Sequence, residues 1–303
     1  MNLAGRIHRA WSALVAPPGP KPRVRAQAMP AQPGSWTAAS QHPRSVLFIT
    51  LDSCRFDTFV AVAPPHIGAV GALHRAQAPS YFTYGSHMAM FAGFTPGCAE
   101  LRAPFVNPKF GKFFRLSGGP ARSDGLDAFS VDGENIIDGF GRMGYLTAGT
   151  GAAGWFDDSR ESVQPLIRHF MHYRYAGNCW SLDAQLAWLA GIVGGAREPV
   201  FAFVNVGETH VPYWHAGAPW PRERNPCRPF ADDNDADECR RRQGACLQWV
   251  DGRLAPLLAA FSRANVIICG DHGDAWGEDG VWEHGVSHPK VLEVPLVYRL
   301  NGA

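Results

Sequence analysis

The sequence has no uninterrupted apolar run approaching the ~18 residues that a membrane-spanning helix needs, so no integral membrane segment is expected. Nor does either sign of charge predominate: 28 basic and 27 acidic residues leave a net charge of +1. No global field therefore favours nucleic acid or an acidic membrane surface, and an anionic partner must be attracted locally. The seven cysteines (Cys54, Cys98, Cys179, Cys227, Cys239, Cys246 and Cys269) contain no C-x-x-C pair and form no regular framework. They read as mostly reduced thiols, which fits a cytoplasmic protein. What is present is a chain of 303 residues, 46% hydrophobic and 12% aromatic, enough to bury one sizeable core.

Residues 2–16 place Arg6, His8 and Arg9 within a short apolar stretch, which interrupts the h-region that a signal peptide would need. The stretch has the pattern of a short, weakly amphipathic helix, either a mobile arm or an anchor for a partner or a membrane surface. From Pro17 to Pro43 the composition turns to Pro, Ala, Gln and Ser, too poor in apolar side chains to offset the entropy of ordering. Residues 1–43 therefore read as a flexible, disordered Pro/Ala-rich tail, and residues 44–303 as one domain.

That domain has an α/β pattern. Val46-Leu47-Phe48-Ile49-Thr50-Leu51 is a continuous apolar run that ends in Asp52, as expected of a buried central strand with a functional residue at its carboxyl end. Further strands are expected at Tyr145–Gly149, Val200–Val206, Asn265–Cys269 and Pro295–Leu300, with helices at Glu134–Met143, Leu182–Val193 and Glu238–Phe261. The alternation argues a mostly parallel central sheet flanked by helices on both faces. Residues 101–133 and 212–237, dense in Gly, Pro, Asp and Arg, read as long insertions of the kind that form lids or binding loops.

Candidate chemistry collects at the strand ends. Asp52 follows the first strand, and Asp271-His272-Gly273-Asp274 follows the strand ending at Cys269. Any one such Asp serves as readily as a helix cap, but two carboxylates and an imidazole on neighbouring strands form a divalent-metal site suited to Zn or Mn. The segment Thr83-Tyr84-Gly85-Ser86-His87 reads as a turn entering a helix, with the Thr83 hydroxyl at the positive N-terminal end. A hydroxyl placed there against a metal can act as a nucleophile. Thr83 as a plain helix cap, and Ser86 as the nucleophile instead, are the competing readings. Trp155-Phe156-Asp157-Asp158 and Arg174 read as ordinary packing or surface rather than as pocket lining.

Taken in order, these segments carry a resemblance. An apolar strand ends in Asp52; T-x-x-S-H follows, with Gly93 ten positions after Thr83; His210-Val211-Pro212-Tyr213 follows an apolar strand; then comes D-H-G-D-x-x-G-E-x-G-x-x-x-H-G from Asp271, and finally V-P-L. From Ser45 to Leu300 the sequence resembles the sulfatase-like branch of the alkaline phosphatase superfamily. In sulfatases a Cys or Ser at the position of Thr83 becomes formylglycine, and His87 stands where their signature has Arg. Thr cannot undergo that conversion. The chain therefore looks closer to the phosphodiesterase, phosphonate-hydrolase and phosphoethanolamine-transferase members, which use an unmodified Thr.

The resemblance implies an alkaline phosphatase-like fold, with Asp52, Thr83, Asp271 and His272 around one Zn or Mn ion. His210 and His284, the latter thirteen residues past Asp271, would face the reacting oxygens or join a second ion, with Glu208 and His288 as further candidates. The second ion stays open, because relatives with two metals carry an acidic residue four positions before the His210 equivalent, where this chain has Val206. The implied activity is hydrolysis of a small anionic ester (phosphate, phosphodiester, phosphonate or sulfate) through a covalent Thr intermediate. Phosphoryl or headgroup transfer, or a catalytically silent binding protein, are the alternatives, and no oligomeric state follows. Deleting residues 1–43 is expected to leave the melting temperature and any small-substrate turnover nearly unchanged; a large loss of either would show that the segment docks on the domain.

Overall fold

Alternation along two central strands sets the architecture. The computed structural model describes residues 42–93, 115–118, 129–132 and 135–301. The expected tail, apart from its last two residues, and most of the 101–133 insertion lie outside them. Strand β1 (Val46–Leu51) is followed by short helices α1 (Phe56–Val62) and α2 (Pro65–Gly68), an exposed strand β2 (Leu73–Gln77) and helix α3 (Thr83–Ala92). An antiparallel pair, β3 (Arg115–Gly118) with β4 (Phe129–Asp132), precedes helix α4 (Ile136–Arg142), strand β5 (Leu146–Gly151), short helix α5 (Gln164–Ile167) and strand β6 (His172–Tyr175). Helix α6 (Leu182–Val193), strand β7 (Val200–Val206), the long helix α7 (Ala236–Ala260) and strand β8 (Asn265–Gly270) complete the parallel part. The chain ends through the two-residue ladder β9 (Ala275–Trp276) and β10 (Trp282–Glu283), helix α8 (Pro289–Leu292) and strand β11 (Glu293–Arg299).

Seven strands form one sheet in the order β2-β11-β8-β1-β7-β5-β6. β8, β1, β7, β5 and β6 run parallel, and β11 runs antiparallel to both β8 and β2. Because side chains alternate along a strand, β1 sends Leu47, Ile49 and Leu51 to one face and Val46 and Phe48 to the other, and β7 divides Val200, Ala202, Val204 and Val206 from Phe201 and Phe203 in the same way. The aliphatic face packs on α1, α2, α6 and α7 through Phe59, Ile67, Leu189, Leu247, Val250 and Leu254. The aromatic face packs on α3, α4 and α5, where Phe91 meets Phe203 edge-on at 5.1 Å and Phe140 stacks on Phe201 at 4.6 Å. Helices thus cover both faces, as the sequence pattern requires.

The expected strands and helices are present within a few residues of their predicted limits. β2 and β6 have no counterpart among the predictions, because Leu73–Gln77 and His172–Tyr175 are edge strands with mixed, half-exposed side chains and no apolar run. Pro256 lies within α7 without ending it. Both Pro256 and Gly252, whose carbonyl loses its amide partner, are on the exposed side, where water can replace the missing bond. The 212–237 segment contains little regular structure, yet it is packed: Tyr213, Trp220 and Cys227 form a third buried cluster with Cys239, Cys246 and Trp276.

Asp251 on α7 ties that helix to α2 by accepting the amides of Ile67 (2.8 Å) and His66 (3.2 Å). Asp251→Ala leaves the buried Ile67 amide without a partner, an expected loss of about 1–3 kcal/mol in urea unfolding. A change within the error of the wild-type curve would show that the bond adds no net stability.

Candidate active site

The sheet register builds the centre of the site. β1 lies between β7 and β8, with Leu51 opposite both Val206 and Gly270, so the residues just beyond these strands meet at the carboxyl edge of the sheet. Asp52 extends the ladder by one bond, its amide donating to the Val206 carbonyl at 2.9 Å. Ser53 then turns the chain in a left-handed conformation (φ 58°) and donates its amide to Asp271 Oδ1 at 3.1 Å. Across the seam, the His272 amide donates to the same oxygen at 2.9 Å. Gly273 is required by close approach, since a Cβ there would lie 2.3 Å from the Lys290 carbonyl oxygen.

Thr83 enters from a different element. It is the first residue of α3, after an extended Phe82 whose side chain makes no cap, so its hydroxyl sits at the positive end of the helix. Thr83 Oγ1 lies 3.2 Å from His272 Nε2 and 3.4 and 3.5 Å from the two Asp52 carboxylate oxygens. Ser86, one turn on, is otherwise engaged: its hydroxyl is 2.7 Å from the Asp271 carbonyl oxygen and 3.1 Å from that of Ser80, and it accepts the Ser80 amide at 3.2 Å. His87 is fully buried, donating from Nδ1 to the Thr83 carbonyl at 2.7 Å and placing Nε2 2.9 Å from Thr50 Oγ1. Packed edge-on against Phe91, Phe156 and Phe203, it is held neutral by burial, its pKa pushed down to about 4. His87 therefore braces the first turn of α3 and brings no positive charge to the centre.

The electrostatics of the centre call for a cation. Asp52, Asp271 and His272 are completely buried, and each offers one ligand atom within a 4.8 Å group. Burial, and then the charge of Asp52, drive the Asp271 carboxyl well above its ordinary range, and Asp271 Oδ2 has no hydrogen-bond partner among the described residues. Two such carboxylates side by side cost several kcal/mol unless a proton or a metal neutralises them. His272 is prepared for the second outcome. Its Nδ1 donates to the Gly273 carbonyl at 3.0 Å, which turns the lone pair of Nε2 toward Asp52 and Thr83, and burial followed by the neighbouring His284 lowers its pKa to about 3. The donor set of two carboxylates, a neutral imidazole and a hydroxyl fits a divalent ion such as Zn or Mn.

A second group, His272, Asp274 and His284, adjoins the first. Here each carboxylate oxygen already has a protein donor: Asp274 Oδ1 lies 2.7 Å from His284 Nδ1, and Asp274 Oδ2 accepts from the Tyr213 hydroxyl at 2.7 Å. Burial works against a charged His284, but the hydrogen bond and charge of Asp274 prevail and push its pKa up to about 9. The His284 ring lies between those of His272, at 4.5 Å, and the half-buried His210, at 5.1 Å.

The other predicted residues lie elsewhere. Glu208 accepts the Leu182 amide at 2.9 Å at the start of α6, and burial pushes its pKa up to about 7. His288 caps α8 through Lys290 and pairs with Asp279 at 3.2 Å; it belongs to neither cluster. Trp155 packs against Phe82 at 6.0 Å and Tyr84 at 5.6 Å, the two neighbours of Thr83. Two residues escaped the sequence reading. Asn205 donates to Asp52 Oδ2 at 3.4 Å while its carbonyl accepts the amides of Ala152 and Ala153; its one signal is a polar side chain inside the apolar run Val200–Val206. Asp274 was visible in the motif, but nothing in the sequence showed that Tyr213 and His284 converge on it.

No protein-family model matches the sequence, and no curated protein is similar to it in sequence. Solved structures are similar in fold. The C-terminal periplasmic domain of phosphoethanolamine transferase EptC from Campylobacter jejuni superposes with a TM-score of 0.55 at 14% identity, over 86% of this chain and 80% of that one. The phosphonate monoester hydrolase of Agrobacterium radiobacter gives 0.53 at 16%, over 84% and 68%. The periplasmic domain of EcEptC from Escherichia coli, in complex with Zn, gives 0.54 at 12%, over 91% and 78%. The fold is that of the alkaline phosphatase superfamily. At such identities the likeness extends to the fold alone, and the chemistry rests on the site.

Asp271→Asn is expected to weaken Zn(II) binding by at least about tenfold, read by competition with a chromophoric chelator. Equal affinity in variant and wild type would remove Asp271 from the ligand set.

Proposed function

We propose that this chain is a metal-dependent hydrolase of small anionic esters (phosphate, phosphodiester, phosphonate or sulfate) with Thr83 as its nucleophile. The observation that carries this reading is the placement of one hydroxyl, at a helix N-terminus, 3.2–3.5 Å from the side chains of Asp52 and His272. The completely buried Asp52, Asp271 and His272, with the Thr83 hydroxyl, would hold a Zn or Mn ion, and the E. coli domain solved with Zn supports that choice. Such an ion supplies Lewis acidity, easing ionisation of the hydroxyl and drawing charge from the ester.

The residues divide the remaining work. Thr83 Oγ1, its proton given up to solvent, attacks the phosphorus or sulfur in line; its new bond forms as the bond to the leaving oxygen breaks, giving a threonine ester on the enzyme. His284 donates a proton to the departing oxygen, and its pairing with Asp274 keeps that proton available at neutral pH. His210, beside it, faces the charge that grows on the non-bridging oxygens. Water then attacks the same centre as His284 takes a proton from it, the bond to Thr83 Oγ1 breaks, and the acid is released. Asn205 steadies the Asp52 carboxylate throughout.

A second reading is transfer to an acceptor alcohol in place of water, favoured by the similarity to a phosphoethanolamine transferase domain. A panel of p-nitrophenyl phosphate, phosphodiester, phosphonate and sulfate esters with Zn- or Mn-loaded protein tests the proposal, and added alcohols separate transfer from hydrolysis. Thr83→Ala is expected to lower turnover by more than about 10³-fold, the scale of losing a nucleophile, and mass spectrometry of quenched protein should place the adduct on the Thr83 peptide. An adduct on Ser86, or full activity in Thr83→Ala, would overturn the assignment; absence of turnover with every ester would favour a silent binding protein.

A further inference from the structure

A chain of hydrogen bonds lies behind His284 and reaches into the core. Trp276 Nε1 donates to the Tyr213 hydroxyl at 2.8 Å, the Tyr213 hydroxyl donates to Asp274 Oδ2 at 2.7 Å, and Asp274 Oδ1 lies 2.7 Å from His284 Nδ1. Asp274 and Tyr213 are completely buried, and Trp276 nearly so. The links come from segments far apart in sequence. Tyr213 belongs to the turn that carries His210, Trp276 to β9, and Asp274 to the loop that carries Asp271 and His272. Each acceptor is used in one direction, so the chain can be satisfied in one way only: indole to phenol, phenol to carboxylate, carboxylate from imidazole. That leaves Nδ1 of His284 as the nitrogen bound to Asp274 and turns Nε2 to the opposite side of the ring.

We propose that Asp274, oriented by Tyr213 and Trp276, is a positioning residue that fixes the His284 ring so that Nε2 serves the oxygen leaving the reacting centre. The inference rests on the hydrolase reading for its chemistry, and on hydrogen bonding alone for the orientation. Three features of the site follow from it. Each Asp274 oxygen already accepts one protein donor, whereas Asp271 Oδ2 has none among the described residues, which separates this group from the open set around Asp271. Tyr213 has a buried structural reason to follow His210 at its fixed spacing, since the turn and the loop are joined at its hydroxyl. Finally, His284 is held within 4.5 Å, ring to ring, of His272, whose Nε2 meets the Thr83 hydroxyl.

The test separates orientation from folding. In wild type, the ratio of kcat/KM for a p-nitrophenyl ester over the matching phenyl ester measures dependence on the leaving group. Asp274→Asn is expected to raise that ratio at least about tenfold, a fraction of the ~10²–10⁴-fold that proton-transfer assistance contributes, with Zn content and melting curve close to wild type. Tyr213→Phe should raise it less, and serves in place of Asp274→Asn if that variant does not fold. Histidine-selective ¹⁵N NMR on the Zn-loaded protein gives a readout that does not need turnover: a low-field Nδ1–H proton of His284, present in wild type and in Thr83→Ala, absent in Asp274→Asn and His284→Gln. An unchanged leaving-group ratio in a folded, active variant, or no such proton in wild type, overturns the inference. If wild type hydrolyses no ester while the proton is present and lost in Asp274→Asn, the hydrolase reading fails and the orientation stands.

Discussion

Two buried carboxylates lie side by side at the end of adjacent parallel strands, and the site is organised around their repulsion. Asp52 and Asp271 have no exposure to solvent, and β1 and β8 are paired along their whole length, so the backbones that carry them cannot move apart without breaking the sheet. Backbone amides from Ser53 and His272 satisfy one oxygen of Asp271 and leave the other without a hydrogen-bond partner among the described residues. A buried charge in that state is expensive, and a neutral imidazole with its lone pair directed into the gap does nothing to offset it. A divalent cation does. The geometry is thus intelligible as a place kept for an ion by the stability of the sheet itself.

The Thr83 hydroxyl, the proposed nucleophile, depends on this arrangement indirectly, through α3. The first turn of that helix is fastened to the Asp271–His272 loop by Ser86, whose hydroxyl reaches the Asp271 carbonyl, and to β1 by His87, which joins the Thr83 carbonyl to Thr50. These three bonds fix the height and rotation of the helix start, and therefore the position of the Thr83 hydroxyl. A positive residue in place of His87 would have to sit among Phe91, Phe156 and Phe203, where a charge has nothing to pair with except the carboxylates themselves.

On the other side of the centre, Arg55 and Tyr213 hold the segment that carries Asp274. Arg55 is almost fully buried, pairs with Asp57 and Glu278, lies 3.9 Å over the Trp276 ring, and donates to the Asp274 carbonyl at 3.2 Å. Tyr213 reaches the same residue through its side chain. The irregular 207–235 segment is therefore not a loose cover but part of the wall of the site, kept in place by a small core of its own. Order without regular secondary structure is possible here because its indole and phenol groups find partners, as Trp220 does in the Tyr213 carbonyl.

The sequence by itself determined the sheet and the ends of its strands. Largely apolar, β-branched-rich runs at Val46–Leu51, Val200–Val206 and Asn265–Cys269, too short for buried helices, read as buried strands, and polar residues immediately after parallel strands fall at one edge. That logic made Asp52, Asp271 and His272 legible, and the motif spacing singled out Thr83, His210 and His284. What periodicity does not encode is which side chain outside the regular elements meets which. Glu208 and His288 were weaker candidates beside His210, and the fold gave the first to the start of α6 and the second to α8. Asn205, Asp274 and Tyr213 acquired their places from contacts between residues up to 153 positions apart in sequence. Edge strands such as β2 and β6 were invisible for the same reason: their side chains carry no burial pattern of their own, and only pairing with a neighbouring strand makes them strands.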